Sequence, residues 1–156
     1  MNALVVYYSR FGNTKQVAEV IAETLRSAGS ARLIPTDQLA AAEINDIEIL
    51  VMGTPTHVAR LPKEVRPILE ALPKRALKGV RFAAFDTSYK MNWFISLFTA
   101  AKPLSRKLRK LGGRQLVPPA SFFVVGRQGP LHEGEIERAA TWAATILDTY
   151  ERSFKA

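Results

Sequence analysis

Apolar residues cluster into runs with two different periods along the chain. Leu4, Val5, Val6, Tyr7 and Tyr8 follow one another without a polar break, the pattern of a strand buried on both faces of a parallel sheet. Beyond "SRFGNT" (9–14) the period changes at once. Val17, Ala18, Ile21, Ala22, Leu25 and Ala28 recur at three- and four-residue spacing, with Lys15, Glu19, Glu23 and Arg26 opposite, which predicts an amphipathic helix ending at "SAGS" (27–30). The alternation then repeats, with strands predicted at 31–35, 47–53, 80–85 and 115–125. Between them, helices are predicted from Pro62 to about Leu72, through the stretch before Leu111, and from Glu133 to about Arg152. Pro62 suits a first helical position, Gly112 and Gly113 stop the third helix, and Glu133, Glu135 and Glu137 suit the positive end of the last. Pro103 should kink or interrupt the helix it falls in.

Strands alternating with helices predict right-handed crossovers and an α/β, doubly wound, five-stranded parallel sheet with helices on both faces. Proline cannot donate to a ladder, so Pro35 and Pro118–Pro119 assign strands two and five to the sheet edges. The order 2-1-3-4-5 meets that condition, with residues 1–156 forming one domain.

In such a sheet a ligand sits beyond the carboxyl ends of the strands, where the strand order reverses, here between strands one and three. Three loops meet there: "SRFGNT" (9–14), "TPTHVAR" (54–60) and "DTSYKMNW" (86–93), all rich in hydroxyl, glycine or aromatic residues. Ser9, Asn13 and Thr14 offer short polar groups, Gly12 frees the backbone, and the helix that follows presents unpaired N–H groups that favour an anion. The first loop lacks the spacing of a P-loop and the three glycines of a dinucleotide turn. Asp86, at the end of a buried run, could bond a ligand or the backbone of its own loop.

Composition narrows the chemistry. With no cysteine, disulfides, thiolate catalysis, Cys-zinc sites and iron–sulfur ligation are excluded, and two histidines, His57 and His132, make a His-based metal site unexpected. The balance of 22 Lys and Arg against 14 Asp and Glu, net +8, favours acidic partners. The opening apolar run lacks a basic leader and is too short to span a bilayer, so a cytoplasmic, soluble protein is expected. Residues 94–111 combine an apolar face with Arg106, Lys107, Arg109 and Lys110. That pattern predicts a sheet-covering helix, a basic membrane-surface helix being the other reading.

Along its whole length the chain resembles the flavodoxin family, in its short-chain form. The first loop resembles the family's phosphate loop, usually T/S-x-T-G-x-T, with Ser9, Gly12 and Thr14 matching, Phe11 in place of a hydroxyl and Arg10 as a compensating donor. "YYSRFGNT" is also similar to loops of FMN-dependent quinone reductases, and "GTPTH" and "DTSY" resemble the second and third flavin loops. The resemblance implies non-covalent FMN, with Ser9, Arg10, Phe11, Gly12, Asn13 and Thr14 around its phosphate. Thr54, Pro55, Thr56 and His57 would line one side of the ring and Asp86, Thr87, Ser88 and Tyr89 the other, Tyr89 stacking on it with Trp93 as second choice. It implies an electron carrier with no catalytic side chain and no metal, serving an acidic redox partner protein or a small-molecule acceptor; nucleic acid is not an expected partner. The positive charge would make the flavin's potential less negative than in acidic members. An FMN-dependent NAD(P)H:quinone-type reductase and a flavin-free binding module on the same fold are the alternatives.

Overall fold

The computed structural model describes residues 1–56, 60–90 and 99–155. Its elements are β1 (Asn2–Tyr7), α1 (Asn13–Arg26), β2 (Ser30–Pro35), α2 (Ala41–Ile44), β3 (Ile49–Pro55) and α3 (Arg66–Glu70), then β4 (Arg81–Tyr89), α4 (Ala101–Lys110), β5 (Arg114–Gln115), β6 (Ala120–Val124) and α5 (Glu135–Arg152). The named strands pair in parallel in the order β2-β1-β3-β4-β5, with β6 also alongside β4.

Period-two geometry sends the apolar runs to both faces. Val5, Val51 and Phe85 pack under α1 and α5 through Val17, Ile21, Leu25, Ala139 and Ile146. Leu4, Leu50 and Phe82 face the other way, under Leu69 of α3 and Leu104 and Leu108 of α4. Because both faces are covered, the central strands need uninterrupted hydrophobic sequence, which is what made them legible.

Four expectations are corrected. The predicted last strand is two strands: β5 pairs with Arg81 and Phe82, β6 with Phe85 to Tyr89, and Pro118–Pro119, lacking N–H groups, break the ladder between them. The order 2-1-3-4-5 stands, with its fifth position divided. The helix expected from Pro62 to Leu72 is regular only over Arg66–Glu70, because Pro67 has no N–H for a bond to the preceding turn and fits only at the first positions of a helix. Pro103 interrupts nothing among the described residues; it lies in the first turn of α4, where the first bond runs from the Leu104 N–H to the Ala100 carbonyl at 3.0 Å. Asp86 to Tyr89 are not loop but the last residues of β4, paired with β3 and β6.

Gly53 marks the tightest point of the core. A Cβ there would stand 2.0 Å from the terminal ring carbon of Phe85. That ring cannot swing aside freely, since Phe122 and Trp142 hold it edge-to-face at 5.9 and 6.0 Å. Gly53→Ala should therefore lower the free energy of unfolding by about 1–3 kcal/mol. Urea titration followed by circular dichroism measures it, and a cost near zero would show that the aromatic cluster repacks.

Candidate functional site

The end of β1 turns into α1 through a short, internally bonded loop. Ser9 Oγ accepts the Gly12 N–H at 3.0 Å, and Gly12 takes φ 93°, a left-handed conformation that side chains resist. The first helical bond runs from the Gln16 N–H to the Gly12 carbonyl at 3.0 Å. The N–H groups of Asn13, Thr14 and Lys15 thus have no acceptor among the described residues, and no side chain caps the helix. The amino end of a fourteen-residue helix is left open to an anion.

That end opens into a cavity of about 850 Å³ at the carboxyl ends of β1, β3, β4 and β6. Ten of the predicted residues line it: Ser9, Arg10, Phe11, Asn13 and Thr14 from the first loop, Pro55 and Thr56 from the second, and Thr87, Ser88 and Tyr89 from the end of β4. Phe11 and Tyr89 are 44% and 42% exposed, so two aromatic rings with little packing of their own border the same space. Ser88 Oγ is buried and has no hydrogen-bond partner among the described residues, an unspent polar group in the lining.

Three predicted residues do not line the cavity, and a fourth, His57, lies outside the described residues, as does Trp93. Gly12 acts through its backbone turn. Thr54 is fully buried, and its hydroxyl bonds the Pro55 carbonyl at 3.2 Å. Asp86 is also fully buried and does not line the cavity: Oδ2 accepts the Ala101 N–H at 2.9 Å, at the start of α4, and the hydroxyls of Thr99, Ser121 and the cavity-lining Thr56 face its carboxyl. The Thr14 hydroxyl, expected at a phosphate, is paired with the Thr87 hydroxyl at 2.7 Å, so it is the Thr14 N–H that remains free.

Further lining residues fall outside the predicted set, namely Tyr8, Leu61, Pro62, Lys63, Glu64, Val124 and Arg127, while Arg60 belongs to it only as the last residue of "TPTHVAR". The available signal was charge at strand carboxyl ends. Arg10, Arg60, Lys63 and Arg127 surround the cavity against Glu64 alone. Asn13 ties this side together by donating to the Gln128 carbonyl at 3.2 Å, in the turn that carries Arg127. Burial first, and then the neighbouring Glu64 carboxylate, push the Tyr8 phenol above its usual range. Among the described residues no cluster of His, Asp or Glu could hold a metal ion.

A dianion, a flat ring system and a few hydroxyl contacts are what this lining can accommodate together. Free amides and cations serve the first, Tyr89 with Pro55 and Thr56 the second, and Ser88 the third. A flavin mononucleotide has these three parts, and the residues present fit it.

Comparison with known proteins points the same way. The family model described as Flavodoxin matches residues 5–142. The "NADPH-dependent diflavin oxidoreductase 1" of Cryptococcus neoformans var. neoformans serotype D is 30% identical over 130 residues, covering 77% of this chain and 20% of that protein. The chain thus spans about a fifth of the length of that relative. A protein described as "Flavodoxin" from Clostridium saccharobutylicum is 26% identical over 161 residues, 99% of this chain and all of the relative. Among solved structures, a flavodoxin from the domain Archaea superposes with a TM-score of 0.78 at 19% identity, over 97% of this chain and 99% of that one, a likeness of fold.

The burial of Asp86 has a measurable consequence. Desolvation raises its pKa, opposed by the Ala101 N–H and the hydroxyls of Thr99, Ser121 and Thr56; no charged group contributes to the shift. The folded chain therefore keeps a proton that the unfolded chain releases from about pH 4 upward, and stability falls as pH rises through that window. Asp86→Asn keeps an acceptor for Ala101 and cannot ionise. Its stability relative to the parent should improve as pH rises from about 4, and parallel curves would show an ordinary carboxyl.

Proposed function

The chain belongs to the flavodoxin family of FMN-binding electron-transfer proteins, and on that premise we propose that the cavity at the amino end of α1 holds its FMN and passes electrons to an acidic partner. One observation supports this above the others: a helix start with three unpartnered N–H groups shares its cavity with an exposed tyrosine at the end of β4.

The amides of Asn13, Thr14 and Lys15 would hold the phosphate, with Arg10 and Arg127 supplying counter-charge and Ser9 keeping the loop in shape through Gly12. Tyr89 would cover one side of the ring, and Pro55 with Thr56 would border the other. When bound, FMN supplies the electron transfer itself, so no side chain need act as nucleophile or general base. What this chain contributes is a fixed phosphate anchor, exclusion of water from the ring and the local potential. Arg60 and Lys63 favour added negative charge inside and an acidic docking face outside.

The test compares FMN with riboflavin by fluorescence quenching. Three charge-assisted hydrogen bonds at about 1.5 kcal/mol each make FMN roughly a thousandfold tighter. Equal affinities would remove the phosphate from the end of α1. Tyr89→Ala should weaken both ligands alike, by about tenfold, since it touches only the ring. Coulometric reduction then separates the roles: two resolved one-electron potentials fit a carrier, and a single two-electron wave fits a quinone-type reductase.

A further inference from the structure

Away from the cavity, the charge of the chain is segregated. Residues 71–115 hold eleven of its 22 cations and, of its 14 acids, only Asp86, which is buried. The rest of the chain holds eleven cations against thirteen acids, so the whole positive excess lies in this segment.

The fold gathers most of it on one face. α4 buries Ala101, Leu104, Ser105 and Leu108 and turns Lys102, Arg106, Arg109 and Lys110 outward. Lys107, between them, pairs with Glu70 at 3.3 Å. The Leu77 N–H donates to the Leu111 carbonyl at 2.9 Å, which brings the exposed Lys74, Arg75 and Lys78 against the carboxyl end of α4. Arg114 joins them through its N–H bond to the Val80 carbonyl at 3.0 Å. This end of the sheet, where β4 begins, is the end opposite the cavity. The carboxyl end of a helix dipole accounts for Lys107, Arg109 and Lys110. It does not account for Lys102, Arg106 or the three cations of the 74–78 turn.

Within the patch lies a crevice of about 210 Å³, walled by Leu69, Leu72 and Leu111 and ringed by Lys74, Lys107 and Lys110, with Glu70, the partner of Lys107, the one acid in its lining. Among the described residues, the exposed large apolar side chains Phe11, Tyr89, Val125 and Ile136 lie away from this patch, and Phe154, which reaches this end of the sheet, sits on the α5 side with the Arg81 guanidinium over its ring at 4.5 Å. A protein partner normally seats on aromatic anchors, and unpaired bases need rings to stack on. Neither is offered. A leucine-walled crevice among lysines matches instead a ligand that is anionic and apolar in one molecule. We propose that this face is a peripheral docking surface for anionic phospholipid headgroups, which leaves the cavity at the far end of β4 turned toward the aqueous phase.

Co-sedimentation of the full chain with phosphatidylcholine vesicles, with and without phosphatidylglycerol, tests it. Binding is expected only with the anionic lipid and should fall steeply as salt rises. Lys74→Gln, Arg106→Gln and Lys110→Gln together should weaken it about a hundredfold, at roughly fivefold per cation near such a surface. Lys15→Gln, Arg26→Gln and Arg32→Gln together, on α1 and β2 at the other edge of the sheet, change the net charge equally and should leave it nearly unchanged. Should the first triple variant lose its circular dichroism, Arg106→Gln alone replaces it, with about a fivefold loss expected. Failure to bind anionic vesicles, or equal losses in both triple variants, would overturn the proposal. So would tighter binding to duplex DNA than to vesicles of equal phosphate content, which would make the patch a nucleic-acid surface.

Discussion

The cavity exists because β1 and β3 are hydrogen-bonded neighbours whose following segments leave toward opposite faces of the sheet. After β1 the chain passes into α1, which packs with α5 over Val5 and Val51. After β3 it passes to the other face, where Leu61, Val65 and Leu69 cover Leu50 and Met52. Two connections that diverge from adjacent strands cannot fill the space between them, and the crevice they leave lies at the strand carboxyl ends. Each side chain there acts on a gap fixed by topology, which is why the site depends more on the sheet than on any single loop.

A chain of hydrogen bonds holds the walls of that gap in register. Thr14 at the start of α1 pairs with Thr87 of β4, and the Thr87 carbonyl accepts the Thr56 N–H at 2.9 Å. Thr56 Oγ1 in turn accepts the Ala100 N–H, and Asp86 the Ala101 N–H next to it, both at 2.9 Å. The start of α1, the end of β4, Thr56 after β3 and the start of α4 are thereby tied below the cavity by buried and half-buried polar groups. Such a network holds one geometry well, since each broken bond leaves an unpaired group in a dry place. It also gives Asp86 a role that its type alone would not suggest, that of a distant cap for α4 rather than a ligand contact.

The fold was legible where burial on both faces forced continuous apolar sequence, as in Leu4 to Val6 and Leu50 to Met52. It was less legible where polar residues are buried for local reasons. Asp86, Thr87 and Ser88 read as loop because alternation and hydrophobicity both fail there, yet neighbouring strands and the start of α4 bury them. The short span of α3 and the split of the last strand followed from proline chemistry that a hydrophobic pattern does not weigh. At the site, glycine and hydroxyl residues announced the loops, while Leu61, Lys63 and Glu64 reach the cavity only through tertiary folding. No short motif connects them to it.

The distribution of charge revises what a net value of +8 suggests. A uniformly basic surface would shift the potential of any group in the cavity. Here the excess is concentrated where β4 begins, and that strand is nine residues long. At about 3.3 Å per residue its two ends are roughly 26 Å apart, several times the Debye length of about 8 Å at physiological salt. Screening therefore separates the two ends electrostatically. The potential inside the cavity answers first to Arg10, Arg60, Lys63, Arg127 and Glu64, whereas Arg109 and Lys110 at the carboxyl end of α4, Arg114 and the cations of the 74–78 turn act on whatever approaches the other end. The two charge systems can be altered independently because a single strand, buried on both faces, holds them apart.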